Sequence, residues 1–558
     1  MMLIQTCDLY HQTHRKKFLN LRNINDMKHL ILFTLILIQS SLFAQEPFQY
    51  RVELSPIQIP GFTGLHSYAF GTSDSLIVFI GGRRDGLHAR QPFNAFPESY
   101  NNDSIYVLDI NNQTYWSRGV DELSTPLQEQ LQSSNMVFYQ DADTLIMIGG
   151  YSYSQTNLQH ITFPSLITVN VDQLVDSIVN DNSLAGLFKQ LTSDYFAVTG
   201  GQLGKIDDTF LLVGGHRFDG SYNPMNNPTF VQTYTNSIRK FKLNNSGSTL
   251  VVNDSVEFTD ALHLHRRDYN LMPYLFTNGD PGYLISSGVF QTGIDLPFLY
   301  PVEIDANSIN PVTSFDQKLS NYHSAKVSLY DSLSQQLCML FFGGIASYYY
   351  DGSTLVYDDK VPFVNTISMV IRANDGSFYE YKMLAEMPQL HGSSAEFIPN
   401  MQLGSNTDEL LHLSEVPLDT VLIGHIYGGI YSPSINPFSN NQTTTTSASD
   451  FLYRVELIYD PTVEMIEVPT NKSSEIKIYP NPTKNKFFVE YNLTNYTGTR
   501  YVIATANGEI VQEGYMENEA QGINVAEIKL ERSIRSGTYL LSLIFDEKMV
   551  TTAKLVIE

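Results

Sequence analysis

The feature that most constrains this chain is an apolar run ending in a glycine pair, repeated along most of its length. The pairs are Gly81-Gly82, Gly149-Gly150, Gly214-Gly215, Gly343-Gly344 and Gly428-Gly429. A decayed copy, Tyr283 to Val289, keeps only Gly288. With that copy included, the intervals are 68, 65, 74, 55 and 85 residues, a mean of 69. A short apolar run closed by turn residues reads as a buried strand. Its recurrence at a fixed period reads as a stack of similar units sharing one core. A further pair, Gly200-Gly201, is out of phase and reads as a turn inside the preceding strand.

Each copy carries more than its glycines. Ahead of the run is a strand opening on His or Ser, at His66, Ser133, His323 and His391. After the run come a polar loop and a third strand, as at Asp103–Asp109, Ser237–Leu243 and Asn365–Ile371. The first copy adds a fourth strand at Gln113–Ser117. Four strands per unit with glycines after the second resembles the kelch repeat, which implies a β-propeller. The departures are a spacing longer than the usual ~50 residues, the lost pair in copy four, and a single tryptophan, Trp116. The expected fold class is all-β: a kelch-like propeller over residues 45–460, then a small immunoglobulin-like β-sandwich. Six blades follow from the motif, with seven as the alternative. Phe48–Leu54 nearly repeats Phe451–Leu457. Pairing of these two segments would complete one blade from both ends of the propeller and remove an open edge.

Composition agrees with strands. The 558 residues include 34 Tyr and 32 Phe, a palette suited to pleated surfaces. Only 16% of residues are charged, and the net charge is −24. So acidic a chain would repel a phosphate backbone, which argues against a nucleic-acid partner. No run of 18 apolar residues exists, so no transmembrane helix is expected. Near the start, Lys28 precedes the apolar run Leu30–Ile38, with a small residue at Ala44. This reads as a signal peptide over 27–44, with Met27 the start and 1–26 an over-extension. Cys7 lies ahead of it, leaving Cys338 as the mature chain's cysteine, expected as a buried thiol.

The C-terminal segment opens Tyr479-Pro480-Asn481-Pro482. It continues through a hairpin at Asn507-Gly508 and a strand with Gly537 and Tyr539, and closes on Lys554-Leu555-Val556-Ile557. It resembles the C-terminal sorting domain of the type IX secretion system of Bacteroidetes, over residues 476–558. The resemblance implies recognition by the outer-membrane translocon, removal of the domain, and release or attachment at the surface by way of the periplasm. Residues 461–475 read as a linker, with cleavage expected there or just after.

The loops after the glycine pairs are the candidate ligand-binding set, because a propeller gathers equivalent loops on one face. They supply Arg83, Arg84, Asp85, His88, Tyr151, Tyr153, His216, Arg217, Asp219, Tyr349, Asp351 and Tyr431. Tyr faces and Arg forks suit a glycan, a carboxylate-bearing ligand or a peptide. His263 and His265 share one face if their segment is a strand, but no third metal ligand is assignable, and no metal or cofactor is expected. Asp-(Ser/Thr)-aliphatic recurs from Asp74 to Asp419, resembling an O-glycosylation motif of exported Bacteroidetes proteins or serving as a turn entering a strand. No hydrolase elbow, zinc-protease motif or phosphate loop is present. The leading function is therefore a secreted or cell-surface binding module for a glycan or protein. The alternatives are a carbohydrate-active or sugar-acid-isomerising enzyme and a structural surface component. Convergence of Arg83, Arg84, His216 and Arg217 on one pocket would favour the enzyme.

Overall fold

The computed structural model describes residues 48–558 apart from 225–228, 401–402, 404–408, 414–418, 470–475, 494–497, 518 and 548. The signal peptide, the over-extended start, Cys7 and the end of the expected linker lie outside the described residues.

Six sheets resemble propeller blades, each built on four antiparallel strands, to which the fifth blade adds one short strand at either edge. Their innermost strands are Ala69–Ser73, Ser134–Asp141, Gln202–Ile206, Asn270–Leu275, Ala325–Asp331 and Ser393–Pro399. The glycine pairs follow the second strands of blades one, three and five and lie within those of blades two and six. In the sixth blade the outermost strand is Tyr50–Ile57 from the start of the described chain, paired with Leu452–Tyr459. The closure expected from the two near-identical segments is thus present.

Two rings of hydrogen bonds join the blades. In the first, the amide of each second glycine donates to a carbonyl at the entrance of the next blade. The six links are Gly82 to Ser133, Gly150 to Val198, Gly215 to Arg266, Gly288 to Asn321, Gly344 to His391 and Gly429 to Leu65. Such an approach leaves no room for a side chain: a Cβ on Gly149 would stand 1.8 Å from the Val198 carbonyl oxygen. The decayed fourth copy keeps the geometry, because Ser287 adopts φ 56° where the others have their first glycine.

The second ring runs closer to the axis. Asn135 N donates to Ser67 O, Asp268 N to Gly200 O, His323 N to Asp268 O, Ser394 N to His323 O and Ser67 N to Ser394 O. Thr199 Oγ1 supplies the remaining link, donating to Asn135 O. Ser67, Asn135, Gly200, Asp268 and Ser394 all have positive φ, a region that small polar residues tolerate best after glycine. The Ser-bearing openings of the repeat therefore serve this ring. Gly200 belongs to it as well and precedes the first strand of blade three, so it is not a turn within a strand as expected.

The face opposite the glycine pairs is crossed by a segment of blade six. Glu409 accepts hydrogen bonds from Tyr139 of blade two and Tyr283 of blade four, both at 2.6 Å. Leu411–His412 adds a short parallel strand to blade five. Three of the Asp-(Ser/Thr) sites, at Asp74, Asp143 and Asp331, fall at hairpins on this side, leading from the first to the second strand of a blade.

Within the expected linker, Met465–Glu467 pairs with Phe378–Glu386 as an added strand at the outer edge of blade five. Val468 N then donates to Glu380 O. The polar sequence hides this because the blade edge supplies the backbone partners. The C-terminal unit is a sandwich of a three-stranded and a four-stranded sheet around Phe487, Val489, Leu541, Leu543 and Phe545. The side chain of Asn481 donates to Lys554 O and accepts from Val556 N, tying the opening motif to the closing strand.

Candidate functional site

The post-glycine loops share one face of the propeller but do not act alike. Arg83 is 2% exposed. Its guanidinium makes a fork with Asp85 at 2.8 and 2.7 Å and donates to Asn101 Oδ1 and Pro97 O. Arg84 pairs with Asp103 at the surface, and exposed Arg217 with Asp219 and Asp194. These arginines hold their own loops. Arg83, Arg84, His216 and Arg217 do not converge on a shared carboxylate. Tyr151 donates to Gly220 O, and Tyr153 meets His160 edge-on. Tyr349 and Asp351 lie in the hairpin strand Tyr348–Asp351. Tyr431 ends the second strand of blade six, 6.4 Å from the His391 ring.

Several loops do meet over the axis through aromatic side chains. His88 of blade one stacks on Phe96 at 4.8 Å and meets Tyr222 of blade three at 4.6 Å and Phe438 of blade six at 5.5 Å. Tyr151 of blade two packs edge-on against Phe96 and Phe218, each at 5.3 Å. Phe218 stacks on Phe230 at 4.5 Å.

Beside this group stands Arg267, next to the inner ring at the entrance of blade four. It forms a very short contact with Asp268, donates Nε to Tyr234 OH at 3.2 Å and lies over the Phe290 ring at 5.0 Å. Its side chain stays 20% exposed. Tyr234 stacks on His265 at 3.9 Å, and His265 shares a 2.7 Å hydrogen bond with Asn236 Oδ1. His216 shares one with Gln232.

Burial, followed by the Arg267 charge, sets the ionisation of this cluster. Burial pushes His265 down to about 4, with Arg267 acting in the same direction. Burial likewise lowers His88 to about 4, and Arg267 and Arg83 add to the effect. His216 falls well below the ordinary imidazole value through burial, Arg267 and His265. Burial alone would lower Arg267, but the Asp268 charge and the Tyr234 and Tyr322 hydroxyls raise it. At neutral pH the cluster therefore offers uncharged imidazoles, phenols and one ion-paired guanidinium. Such groups stack and hydrogen-bond.

Sequence reasoning missed Arg267, Asp268, Tyr222, Tyr234 and Phe290 as site residues. The available signal was position: Arg267 occupies in blade four the place of His66 in blade one, as the bridges Arg267–Val289 and His66–Arg83 show. His263 and His265 sit in a turn and irregular chain, not in a strand, because Asp260 Oδ1 caps the amides of Leu262 and His263. His263 faces Tyr300, away from the partners of His265. Among the described residues no group of three or more His, Cys, Asp or Glu could hold a metal ion. Cys338 is buried in a strand of blade five, and burial pushes its thiol up to about 12.

Residues 477–558 match the secretion system C-terminal sorting domain family. That domain marks the chain for secretion or attachment at the outer-membrane surface. No curated protein matches the chain. The solved structure of YjhT is 11% identical with a TM-score of 0.39, covering 72% of this chain and 99% of its own. A fungal alcohol oxidase of the AA5 family, solved in complex with copper, is 9% identical with a TM-score of 0.33, covering 91% of this chain and 100% of its own. Among the described residues no helix is long and apolar enough to cross a membrane.

Proposed function

We propose that this exported kelch-type propeller is a glycan-binding module, with its site around the Arg267–Asp268 pair. The observation that carries the reading is the gathering of half-buried aromatic rings from several blades around one partly exposed guanidinium–carboxylate pair. Sugar rings stack their C–H faces on aromatic side chains, and vicinal hydroxyls match a neighbouring donor and acceptor. The neutral imidazoles of His216 and His265 add hydrogen-bonding atoms without charge. The crossing segment around Glu409 at the opposite face supports access from the loop side. That Arg83, Arg84 and Arg217 each serve a local carboxylate or loop favours binding over turnover.

The test is a glycan array probed with the chain freed of residues 476–558, each hit then followed by calorimetry and by mass spectrometry of the sugar. Binding without conversion is the expected result. Arg267→Met and Tyr222→Ala should each weaken it by about tenfold or more, equivalent to ~1.4 kcal/mol. Conversion of the sugar, or unchanged affinity in both variants, would overturn the proposal.

A further inference from the structure

The four-stranded sheet of the sorting domain is buried on both faces. One face carries Ile503, Leu541, Leu543 and Phe545 into the sandwich core. The other carries Val502, Ala504 and Ile544, none more than 1% exposed, against Ile294 of the propeller. The sequence shows the same thing independently. Tyr539 to Phe545 reads Tyr-Leu-Leu-Ser-Leu-Ile-Phe, a nearly continuous apolar run and not the alternation of a strand with one wet face. A partner surface for that outer face is therefore written into the strand.

The partner in this chain is the loop face of blades three to five. Ser542 Oγ donates to Thr292 O at 3.3 Å. A Cβ on Gly293 would stand 2.6 Å from Val502 Cγ1, so the Val502 side chain packs directly on the glycine backbone there. Tyr357 OH donates to Glu547 O at 3.1 Å. At the other end of the contact, the hairpin Thr505–Glu509 reaches the rim of the candidate site, where Asn236 Nδ2 donates to Ala506 O at 2.9 Å. Asn236 also bonds His265, His265 stacks on Tyr234, and Tyr234 accepts from Arg267. An unbroken series of contacts thus leads from the sorting domain to the guanidinium.

We infer that the sorting domain is an intramolecular cover: before its removal it docks on the loop face through Val502, Ala504 and Ile544, and its hairpin shields the His265–Arg267 side of the site. Removal during export then exposes that side outside the cell. This rests on the proposed binding reading only for what is shielded; the docking stands on its own contacts.

The experiment uses the full chain carrying Cys7→Ser, Thr292→Cys and Ser542→Cys, with Cys338 too buried to compete. A short bis-maleimide should link the pair within one chain, at a yield independent of concentration. Adding Val502→Asp should lower that yield about tenfold. Gly293→Asp does the same from the propeller side, in case the first variant disturbs the sandwich. Diethyl pyrocarbonate then reports access to His265 at pH 7, where its imidazole is neutral. Carbethoxylation in the linked chain should be about tenfold slower than in the undocked variants. Absence of the link, or its persistence in both undocking variants, would overturn the docking. A link formed with equal labelling of His265 would overturn the shielding. The proposed glycan binding is judged separately, by the array.

Discussion

Val52, in the first strand of the described chain, lies directly opposite Leu457, in the strand Leu452–Tyr459 of the sixth blade. Both are buried, at 3% and 0% exposed, and both belong to the core shared by the fifth and sixth blades. The circle is therefore closed by a noncovalent joint between segments some four hundred residues apart. A joint of that kind has to be specified by side chains, since no connecting loop enforces it. Val52→Asp places an unpaired carboxylate in this core, and it should cost about 3 kcal/mol or more. Arg51→Ala, half-exposed on the same strand, should leave stability within ~0.5 kcal/mol. Thermal unfolding of the two variants beside the parent checks the contrast. Equal midpoints would mean that the N-terminal strand is dispensable for closure.

The glycine pairs differ in the same testable way from glycines elsewhere with the same backbone sign. Gly149 has φ 66°, and a Cβ there would fall 1.8 Å from Val198 O, within the interblade ring. Gly186 has φ 83° and nothing within 4 Å of its would-be Cβ. Gly186→Ala should cost about 1–2 kcal/mol, the strain of a left-handed residue alone. Gly149→Ala adds a collision with backbone that cannot yield without opening the joint between blades two and three. Its loss should exceed that of Gly186→Ala by about 2 kcal/mol. Urea unfolding followed by tyrosine fluorescence measures both.

These two cases show why some of the structure could be read from the chain and some could not. A glycine pair is legible because a backbone approach excludes every other residue, so the constraint is written at the position itself. Phe48–Leu54 and Phe451–Leu457 are legible as partners because both present the same alternating face. Gly200 was misread because its role depends on Asp268 of the next blade, a neighbour in space only. Arg267 escaped notice because it precedes a first strand, whereas the candidate loops follow second strands. Tyr222 and Phe438 sit in loops without periodicity, and they meet His88 only because the propeller brings those loops over one axis. Glu409 belongs to no repeat at all, and its two tyrosine partners come from different blades.

Arg83 and Arg84 are adjacent in sequence, yet they should respond very differently to mutation. Arg83 is enclosed, and its fork matches both oxygens of Asp85 while also reaching Asn101 and Pro97. Lysine keeps the charge but holds its donors on one nitrogen and cannot span the acceptors met by Nε, Nη1 and Nη2, so Arg83→Lys leaves at least one buried acceptor unpaired. A loss of about 2–3 kcal/mol is expected. Arg84 pairs with Asp103 where both side chains are well exposed, 32% and 58%. Arg84→Lys should change stability by less than ~0.5 kcal/mol. Because the Arg83 loop carries His88 and Phe96, Arg83→Lys should also weaken any glycan bound by the parent chain. Melting temperature and affinity, measured on the same samples, test both parts.

Acid should destabilise the propeller through histidines that fold in the neutral form. His391 is 1% exposed, with Nε2 2.9 Å from Tyr453 OH and Nδ1 3.2 Å from Ser449 Oγ. Burial pushes it down to about 4, while in the unfolded chain it titrates near ~6.5. Above ~6.5 both states are neutral and stability is unaffected. As pH falls from there toward 4, the unfolded chain takes up a proton that the folded chain refuses, so stability drops through that window. Below about 4 both states are protonated and this contribution levels off. For a fully buried imidazole the total is on the order of 3 kcal/mol. His391→Gln keeps a donor and an acceptor but cannot titrate. It should cost about 1 kcal/mol at pH 7, and its stability should fall less steeply than the parent's between pH 6.5 and 4.5. His88, His265 and His425, also held near 4, leave a residual slope of the same sign. Chemical denaturation at closely spaced pH values gives both slopes, and parallel lines for parent and variant would show that His391 takes up its proton alike in the folded and unfolded chain.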